Sequence, residues 1–212
     1  MKRIQVEKPQ KKKESPLPVT VFTSPYVYKE CHKGTIFVAS SGRLSIYAGG
    51  TLRDVSLVGM DIVIPLIGDS FSLQNLFMNL EGENLFGELK EFSLLQNKAV
   101  MSIDWRDQGV PKLKKEFWET FVGILKKESE KRPINVLFFC VGGHGRTGTA
   151  LSIVCHLLEF STGDPIEWVR KNYCKEAVES YSQVSYIEEI LGITTFAQVA
   201  PTLNWKGRVF DF

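Results

Sequence analysis

The chain has 212 residues, of which 43% are hydrophobic, and this length and content favour one globular domain with an ordinary core. Its formal net charge of +2 gives no support for a general preference for polyanions. Its four cysteines form no CxxC pair, which argues against a disulfide scaffold and favours reduced thiols in a cytoplasm.

The N-terminal end differs in charge from the rest of the chain. Residues 1–14 carry six Lys or Arg against two Glu, a net of +4, which leaves −2 for residues 15–212. Residues 1–18 are therefore interpreted as a flexible basic tail, which either stays solvated or makes weak contact with an acidic partner, nucleic acid or a membrane. Residues 19–212 are interpreted as a single domain. No apolar run is long enough to span a membrane, so we expect no membrane span and a cytoplasmic location.

The first half of the chain is predicted to be mostly strands. A hairpin is expected around Ser40-Ser41-Gly42, and Thr51 is expected to cap a short helix that ends at Leu57. Residues 68–87 are predicted to be a loop with a short helix, and the polar, mixed residues 88–96 are assigned no strand. The predicted strands of this half are residues 35–39, 44–47 and 61–67.

The second half alternates strands and helices. Residues 99–103 and 134–139 are predicted strands, and capping boxes begin helices at Asp164 and Ser180. A helix over residues 112–129, with Pro111 in its first turn, has a predicted apolar face of Leu113, Phe117, Phe121, Ile124 and Leu125. This alternation predicts an α/β domain with a central, mostly parallel mixed sheet flanked by helices, and a site at the carboxyl ends of the strands.

The most informative stretch is Val136–Ser152, in which an apolar strand leads through a glycine-rich turn into an apolar helix. The turn feeds a helix N-terminus, so its N–H groups and the helix dipole should bind an anion. Glycine allows such a tight turn and a close approach to a ligand, and four of them fall within seven residues: Gly142, Gly143, Gly145 and Gly148.

Two side chains frame this turn and indicate chemistry beyond anion binding. Arg146, six residues after Cys140, can place its planar guanidinium on two phosphoryl oxygens. Cys140, at the end of the strand, should face the same positive spot, which favours the nucleophilic thiolate. A thiolate beneath a bound phosphate dianion indicates phosphoryl transfer through a phosphocysteine.

Two other interpretations of this turn exist. A cysteine after an apolar strand can be a packed core residue. Residues 143–149 also have the glycine spacing of a nucleotide-binding loop, but Thr149 stands where such a loop needs its lysine.

The pattern Cys140-x5-Arg146-Thr147-Gly148 resembles the signature loop of the cysteine-dependent protein tyrosine and dual-specificity phosphatases. The resemblance implies a tyrosine phosphatase-like fold and a nucleophilic Cys140. It also implies that Thr147 hydrogen-bonds the Cys140 sulfur and helps it to leave. The chain has Phe139 where the family usually has His. The residues implied to bind phosphate are Val141, Gly142, Gly143, His144, Gly145 and Arg146, with His144 expected to contact the substrate.

Two further segments resemble this family. Residues 105–111 resemble the movable acid loop, with Arg in place of its Pro, which implies that Asp107 is the general acid; Asp104 is the alternative, or a structural turn cap. Residues 178–183 resemble the glutamine loop that positions water, with Gln183 at one glutamine position and Glu179 replacing the other. Gln183 could instead serve only in its capping box.

The sequence thus predicts a phosphatase that acts on phosphotyrosine, and on phosphoserine or phosphothreonine as a further option, in a phosphorylated protein substrate. The three histidines, His32, His144 and His156, are scattered along the sequence, so no metal or other cofactor is expected. The alternatives are the same chemistry on RNA 5′-phosphates or phosphoinositides, a non-catalytic phosphate-binding module, and rhodanese-like sulfur transfer, which would leave Asp107 without a role.

Overall fold

A computed structural model of the chain describes residues 31–67, 89–95 and 98–196. The predictions for residues 1–18 and for the loop 68–87 lie outside these described residues, as do residues 19–30 and 197–212 of the predicted domain. The described part contains six strands, one short 3-10 helix at Thr51–Arg53 and four α-helices. The strands are β1 Ile36–Ser41, β2 Leu44–Gly50, β3 Ile62–Pro65, β4 Leu89–Leu95, β5 Lys98–Ile103 and β6 Ile134–Cys140. The helices are α1 Lys115–Lys131, α2 Gly145–Leu157, α3 Pro165–Asn172 and α4 Tyr181–Leu191.

The six strands form one mixed sheet in the order β1-β2-β6-β3-β5-β4. The inner pairs β2–β6, β6–β3 and β3–β5 are parallel, whereas β1 and β4 add to the two edges as antiparallel partners of β2 and β5. The predicted α/β fold with a mostly parallel mixed sheet is therefore confirmed.

Strand β6 lies in the middle of the sheet because its side chains are apolar on both faces. Its alternate residues face two different cores. Val136, Phe138 and Cys140 belong to the larger core, and Leu137 and Phe139 to a smaller cluster on the opposite face. This central position puts the carboxyl end of β6 between two parallel neighbours.

The larger core lies between the sheet and the helices. Helix α2 is buried along almost its whole length, and α1, α3 and α4 contact it. Burial of this apolar surface is the main stabilisation of the domain. The largest fully buried side chains of this core are Trp105, Trp118, Phe138, Ile46, Ile64, Leu66, Ile103, Leu125 and Ile134.

The first predicted hairpin forms, but its turn is shifted. Ser40 and Ser41 pair with β2, and the chain reverses at Gly42, whose φ of 57° is in the left-handed region. The predicted cap at Thr51 is wrong: Gly50 is the N-cap, and the helix is a single 3-10 turn that ends at Arg53, with Asp54 as its C-cap at φ 57°. Leu57 therefore lies beyond it.

Two further predictions are corrected in the second half of the sheet and its first helix. Residues 89–95 form edge strand β4, which sequence analysis left unassigned. Helix α1 begins at Lys115, not at residue 112, since its N-cap Lys114 has an extended backbone with φ −93° and ψ 171°. The carbonyl of Leu113, before the helix, accepts a hydrogen bond from the Tyr186 hydroxyl at 2.7 Å. Pro111 is thus outside the helix, and Ile124 is 41% exposed. The buried face consists of Trp118, Phe121, Val122 and Leu125.

The two predicted capping sites both begin helices. Ser180 and Gln183 form a complete capping box at α4, with the reciprocal side-chain and backbone contacts. At α3, the Asp164 side chain accepts from two backbone N–H groups, but Glu167 pairs with Arg170 at 3.1 Å. No helix in the described residues is both long and apolar enough to cross a bilayer.

Candidate active site

The site is built at the carboxyl end of β6, where Cys140 is the last strand residue. Cys140 pairs in register with Gly50, the last residue of β2. The chain then turns through residues 141–144 and enters α2 at Gly145, as the sequence predicts. The backbone N–H of Gly143 donates to Cys140 Sγ at 3.1 Å, so the loop folds over the sulfur. Such a hydrogen bond stabilises a thiolate.

Close backbone approach explains the glycine at position 143. Gly143 has φ +76°, and an added Cβ would lie 2.6 Å from His32 Nε2 and 2.9 Å from the Gly49 carbonyl. A Cβ on Gly50 would lie 2.7 Å from the Gly143 nitrogen. The end of β2 therefore touches the back of the loop.

Gly143→Ala should distort the loop because both its backbone angle and its surroundings exclude a Cβ. We expect the free energy of unfolding to fall by about 1–3 kcal/mol, together with weaker binding of vanadate. Gly142→Ala is the matched control, since nothing lies within 4 Å of its added Cβ. Equal tolerance of both substitutions in thermal unfolding and vanadate titration would contradict this account.

Arg146 joins the loop to the predicted acid segment. It lies in the first turn of α2 and is 6% exposed. Its Nη1 donates to the Trp105 carbonyl at 3.2 Å, and its Nη2 is 3.0 Å from Asp107 Oδ1. The Asp107 side chain is 74% exposed, so substrate can reach it. Asp104, the alternative acid, is half-buried just after β5.

The acid segment has a defined shape. Trp105 is fully buried, and its indole N–H donates to the Gly109 carbonyl at 2.8 Å. Gln108 has φ 56°, and its carbonyl accepts from the hydroxyls of Ser180 at 2.9 Å and Ser182 at 3.2 Å. The start of α4 thus holds the segment that carries Asp107 beside the loop.

Thr147 does not make the contact that the resemblance implies. Its fully buried hydroxyl donates to the Gly49 carbonyl at 3.5 Å, not to the Cys140 sulfur. In this structure Thr147 therefore helps to attach α2 to the end of β2. Its assistance to the leaving sulfur stays a prediction.

Glu179 and Gln183 contact the loop. Glu179 Oε2 accepts the N–H of Gly145 at 3.1 Å, which withdraws one of the N–H groups predicted to bind phosphate. Gln183 Oε1 accepts the N–H of Glu179 at 2.8 Å, while the buried Gln183 Nε2 has no hydrogen-bond partner among the described residues. Both residues brace the loop, and water positioning by either stays a prediction.

The His144 side chain, expected to contact the substrate, makes its contacts inside the protein, and substrate contact by its ring stays a prediction. The ring is buried, with Nδ1 3.4 Å from Glu179 Oε1 and Nε2 3.0 Å from Cys31 Sγ. The ring belongs to a group that we call the Cys–His cluster: Cys31, His32, His144 and Cys174. Hence His32 and His144, two of the three histidines that look scattered in the sequence, lie together in space.

The Cys–His cluster is electrostatically coupled. Burial alone would lower the pKa of His144, but its contacts with Cys31 and Glu179 outweigh burial and raise this pKa to about 9. A hydrogen bond from the Cys174 thiol holds the pKa of Cys31 well below its usual range, and the same bond raises the pKa of Cys174. The metal-free cluster therefore favours a Cys31 thiolate beside a protonated His144.

Two loop-bracing residues were missed by sequence analysis. The buried Arg53 donates from Nε to the Gly142 carbonyl at 3.1 Å and brings a positive charge behind the loop. The Tyr173 hydroxyl donates to the Gly143 carbonyl at 2.5 Å. Neither residue lies near a recognisable motif. For the Cys–His cluster, in contrast, the sequence did contain one signal: Cys31 and His32 are adjacent, and both are residue types that bind metals.

The sequence model of the family described as protein-tyrosine phosphatase matches residues 83–189. Two curated relatives come from Methanocaldococcus jannaschii. The uncharacterised protein MJ0215 is 38% identical over 85 residues, which are 40% of this chain and 50% of that protein. The uncharacterised protein MJECL20 is 46% identical over 56 residues, which are 26% of this chain and 37% of that protein. The chain thus spans half or less of these relatives.

Solved structures similar to the chain include Tk-PTP in its active form, with 19% identity and a TM-score of 0.46 over 73% of this chain and 95% of that one. Another is PTPN18 in complex with HER2 phosphopeptides, with 15% identity and a TM-score of 0.46 over 63% of this chain and 58% of that one.

Proposed function

Because the chain belongs to the protein-tyrosine phosphatase family, we propose that it hydrolyses phosphate monoesters of proteins, phosphotyrosine first, through a phosphocysteine on Cys140. One observation carries this proposal. Two distant parts of the sequence meet here: the loop, which carries Cys140 and Arg146, and the acid segment, whose Asp107 contacts Arg146 at 3.0 Å. A nucleophile, a phosphate ligand and a proton donor are the parts that this chemistry needs.

The first step transfers the phosphoryl group to the enzyme. The Cys140 thiolate attacks phosphorus, and the bond from phosphorus to the leaving oxygen breaks. Arg146 and the free N–H groups of the loop stabilise the charge on the transferred oxygens. Asp107 gives its proton to the leaving oxygen, because a phenoxide or alkoxide is a poor leaving group near neutral pH.

The second step returns the enzyme to its starting state. Asp107, now a carboxylate, takes a proton from water while the water oxygen attacks phosphorus. The bond between phosphorus and sulfur breaks, which releases inorganic phosphate and the Cys140 thiolate. Thr147 is assigned to the departing sulfur and Gln183 to the water; the Gln183 Nε2 donor, which no described residue uses, supports the latter. No metal takes part in either step.

Phosphotyrosine is preferred in this proposal because of the acid segment. The form Trp105-x-Asp107-x-Gly109-Val-Pro resembles the tyrosine-specific branch more than the dual-specificity branch. The glutamate at position 179, where the family has glutamine, is compatible with catalysis. Glu179 supports the loop through its contacts with Gly145 and His144, which gives this glutamate a structural role.

The test is a substrate panel assayed with a chelator present: nitrophenyl phosphate, phosphotyrosine and phosphoserine peptides, phosphoinositides and 5′-triphosphorylated RNA. We expect the highest kcat/KM among biological substrates for phosphotyrosine peptide, and inhibition by vanadate. If the protein hydrolysed RNA 5′-phosphates or phosphoinositides but not phosphotyrosine peptide, the phosphocysteine mechanism would stand and the proposed substrate would be wrong. Binding of phosphopeptide without turnover of any substrate would favour the non-catalytic module.

Asp107→Asn should slow substrates in proportion to the basicity of their leaving group. Phosphoserine peptide, if it is a substrate, should lose most, phosphotyrosine peptide less, and nitrophenyl phosphate least, because the variant cannot protonate the leaving oxygen. The basic limb of the pH profile of kcat should also disappear. Asp104→Asn is the matched control in the same segment. Equal losses for all three substrates, with the basic limb intact, would remove the acid role from Asp107.

A further inference from the structure

We propose that the Cys–His cluster binds a zinc ion, which fastens the signature loop to the segment before β1 and to the segment after α3. Cys31 and His32 precede β1, His144 is in the loop itself, and Cys174 follows α3. This proposal goes beyond the phosphatase reaction, because none of the four residues is assigned to a reacting atom.

The distances within the Cys–His cluster suit one small ion. Cys31 Sγ lies 2.9 Å from Cys174 Sγ and 3.0 Å from both His32 Nδ1 and His144 Nε2. All four ligand atoms lie within 4.8 Å of one another. A tetrahedral zinc ion with two sulfur and two nitrogen ligands separates its ligand atoms by roughly 3.3–3.8 Å. The distances between the four ligand atoms in the structure lie on both sides of this range, so small shifts of the side chains would bring them to the geometry of a zinc site.

The outer nitrogens of both rings are already oriented. The Tyr173 hydroxyl donates its hydrogen to the Gly143 carbonyl, so His32 Nε2, 3.2 Å from the same oxygen, must be the donor of that contact. A carboxylate only accepts, so His144 Nδ1 carries the hydrogen that faces Glu179.

With zinc bound and both rings neutral, these outer hydrogens would leave a lone pair for the metal on Nδ1 of His32 and on Nε2 of His144. Metal-binding histidines typically use one nitrogen for the metal and the other for a carboxylate or another second partner, which fixes the ring. Tyr173 and Glu179 fill this role here, so the cluster has the partners that a metal site requires.

The donor set selects the metal. Two thiolates and two imidazoles are soft or borderline ligands, which suit zinc, whereas magnesium and calcium need oxygen ligands. Three of the four residues are buried and Cys31 is half-buried, which leaves an entry path on the side of Cys31. With four protein ligands the site would be closed, as structural zinc sites are, and would leave no position for substrate.

The first measurement is the metal content of the full chain, purified without added metal and with any affinity tag removed. Elemental analysis should find about one zinc ion per chain. X-ray absorption at the zinc edge should show two sulfur and two nitrogen neighbours. Replacement by cobalt should give a thiolate-to-cobalt charge-transfer band, and the Cys140→Ser background ensures that this band does not come from the nucleophile.

Variants locate the site. Cys174→Ser and His32→Ala should each reduce the metal content at least about tenfold, because a structural site needs its full ligand set. Cys155→Ala and His156→Ala are the matched controls, since they remove the same residue types outside the cluster, and should retain the metal. If a ligand variant does not fold, the number of zinc ions per wild-type chain and the X-ray absorption spectrum of the wild type still test the proposal.

Four results would overturn the proposal. The first three are a wild type that neither contains zinc nor acquires the cobalt band, absorption data with oxygen neighbours, and ligand variants that keep the metal. The fourth is the recovery of Cys31 and Cys174 as a disulfide from freshly purified protein, which would indicate a redox pair in place of a metal site. Metal content is measured without substrate, so a failed phosphatase assay would leave the zinc proposal untouched. A chain without zinc would likewise leave the proposed phosphatase activity untouched.

Discussion

Cys140→Ser should abolish turnover while leaving the binding of phosphate analogues measurable. The serine hydroxyl would occupy the same place under the Gly143 N–H, but it is a far weaker nucleophile at neutral pH. We expect kcat to fall at least about a thousandfold, or ~4 kcal/mol of activation free energy. The measurement is the hydrolysis of nitrophenyl phosphate together with vanadate or tungstate binding by calorimetry.

Cys155→Ala serves as its control, because Cys155 is a fully buried cysteine in the middle of α2. This variant should lose some stability and retain turnover. If Cys140→Ser kept substantial turnover, the phosphocysteine mechanism would have to be abandoned. If Cys140→Ser also lost the binding of phosphate analogues, the substitution would have disrupted the loop, and a thermal unfolding curve would show the loss of stability.

Arg146→Lys should also be severe. The guanidinium reaches the Trp105 carbonyl and Asp107 with two different nitrogens, and the same planar fork can contact two phosphoryl oxygens. An ammonium group is a point charge and cannot reproduce this geometry. We expect kcat/KM for phosphotyrosine peptide to fall about a hundredfold, or ~2.7 kcal/mol.

Arg106→Lys is the matched control for this change, because Arg106 is an exposed arginine in the same acid segment. It should have little effect on kcat/KM. A loss smaller than about tenfold for Arg146→Lys, or ~1.4 kcal/mol, would mean that Arg146 does not face the phosphate. Analogue binding should weaken in parallel, which separates this variant from Cys140→Ser.

Sequence reasoning predicted the parts of the fold that depend on local patterns. Three such features are set by patterns only a few residues long and could be predicted directly: the apolar run that forms β6, the glycine turn after it and the capping box at Ser180. The approach of Asp107 to Arg146 was expected only through the family resemblance. The edge strand β4 was missed because an edge strand has one pairing partner and need not show the apolar pattern of a central strand.

Long-range contacts were the part that local patterns could not supply. The Cys–His cluster joins residues separated by 113 and 143 positions, and no periodicity signals such a meeting. Arg53 looks like an ordinary surface arginine in the sequence, yet it is 8% exposed. The segment just before α1 is tied to Tyr186, a residue of another helix, through the Leu113 carbonyl. Each of these features is decided by tertiary packing.

Phe139 shows how the structure explains a departure from the family pattern. Adjacent side chains on a strand point to opposite faces, so Phe139 faces away from the side on which Cys140 lies. It is 1% exposed and packs in the smaller cluster with Val63, Val100 and Leu137. A phenylalanine at this position therefore adds apolar packing beneath the loop.

The contact between Arg146 and Asp107 also bears on how the reaction begins. Arg146 Nη2 already has a carboxyl oxygen of Asp107 as its partner, 3.0 Å away, before a phosphate binds. In the proposed reaction the incoming phosphate binds the same guanidinium, so it must displace Asp107 from this nitrogen. The displaced carboxyl group is then free to meet the leaving oxygen, so that substrate binding itself would release the acid for its task.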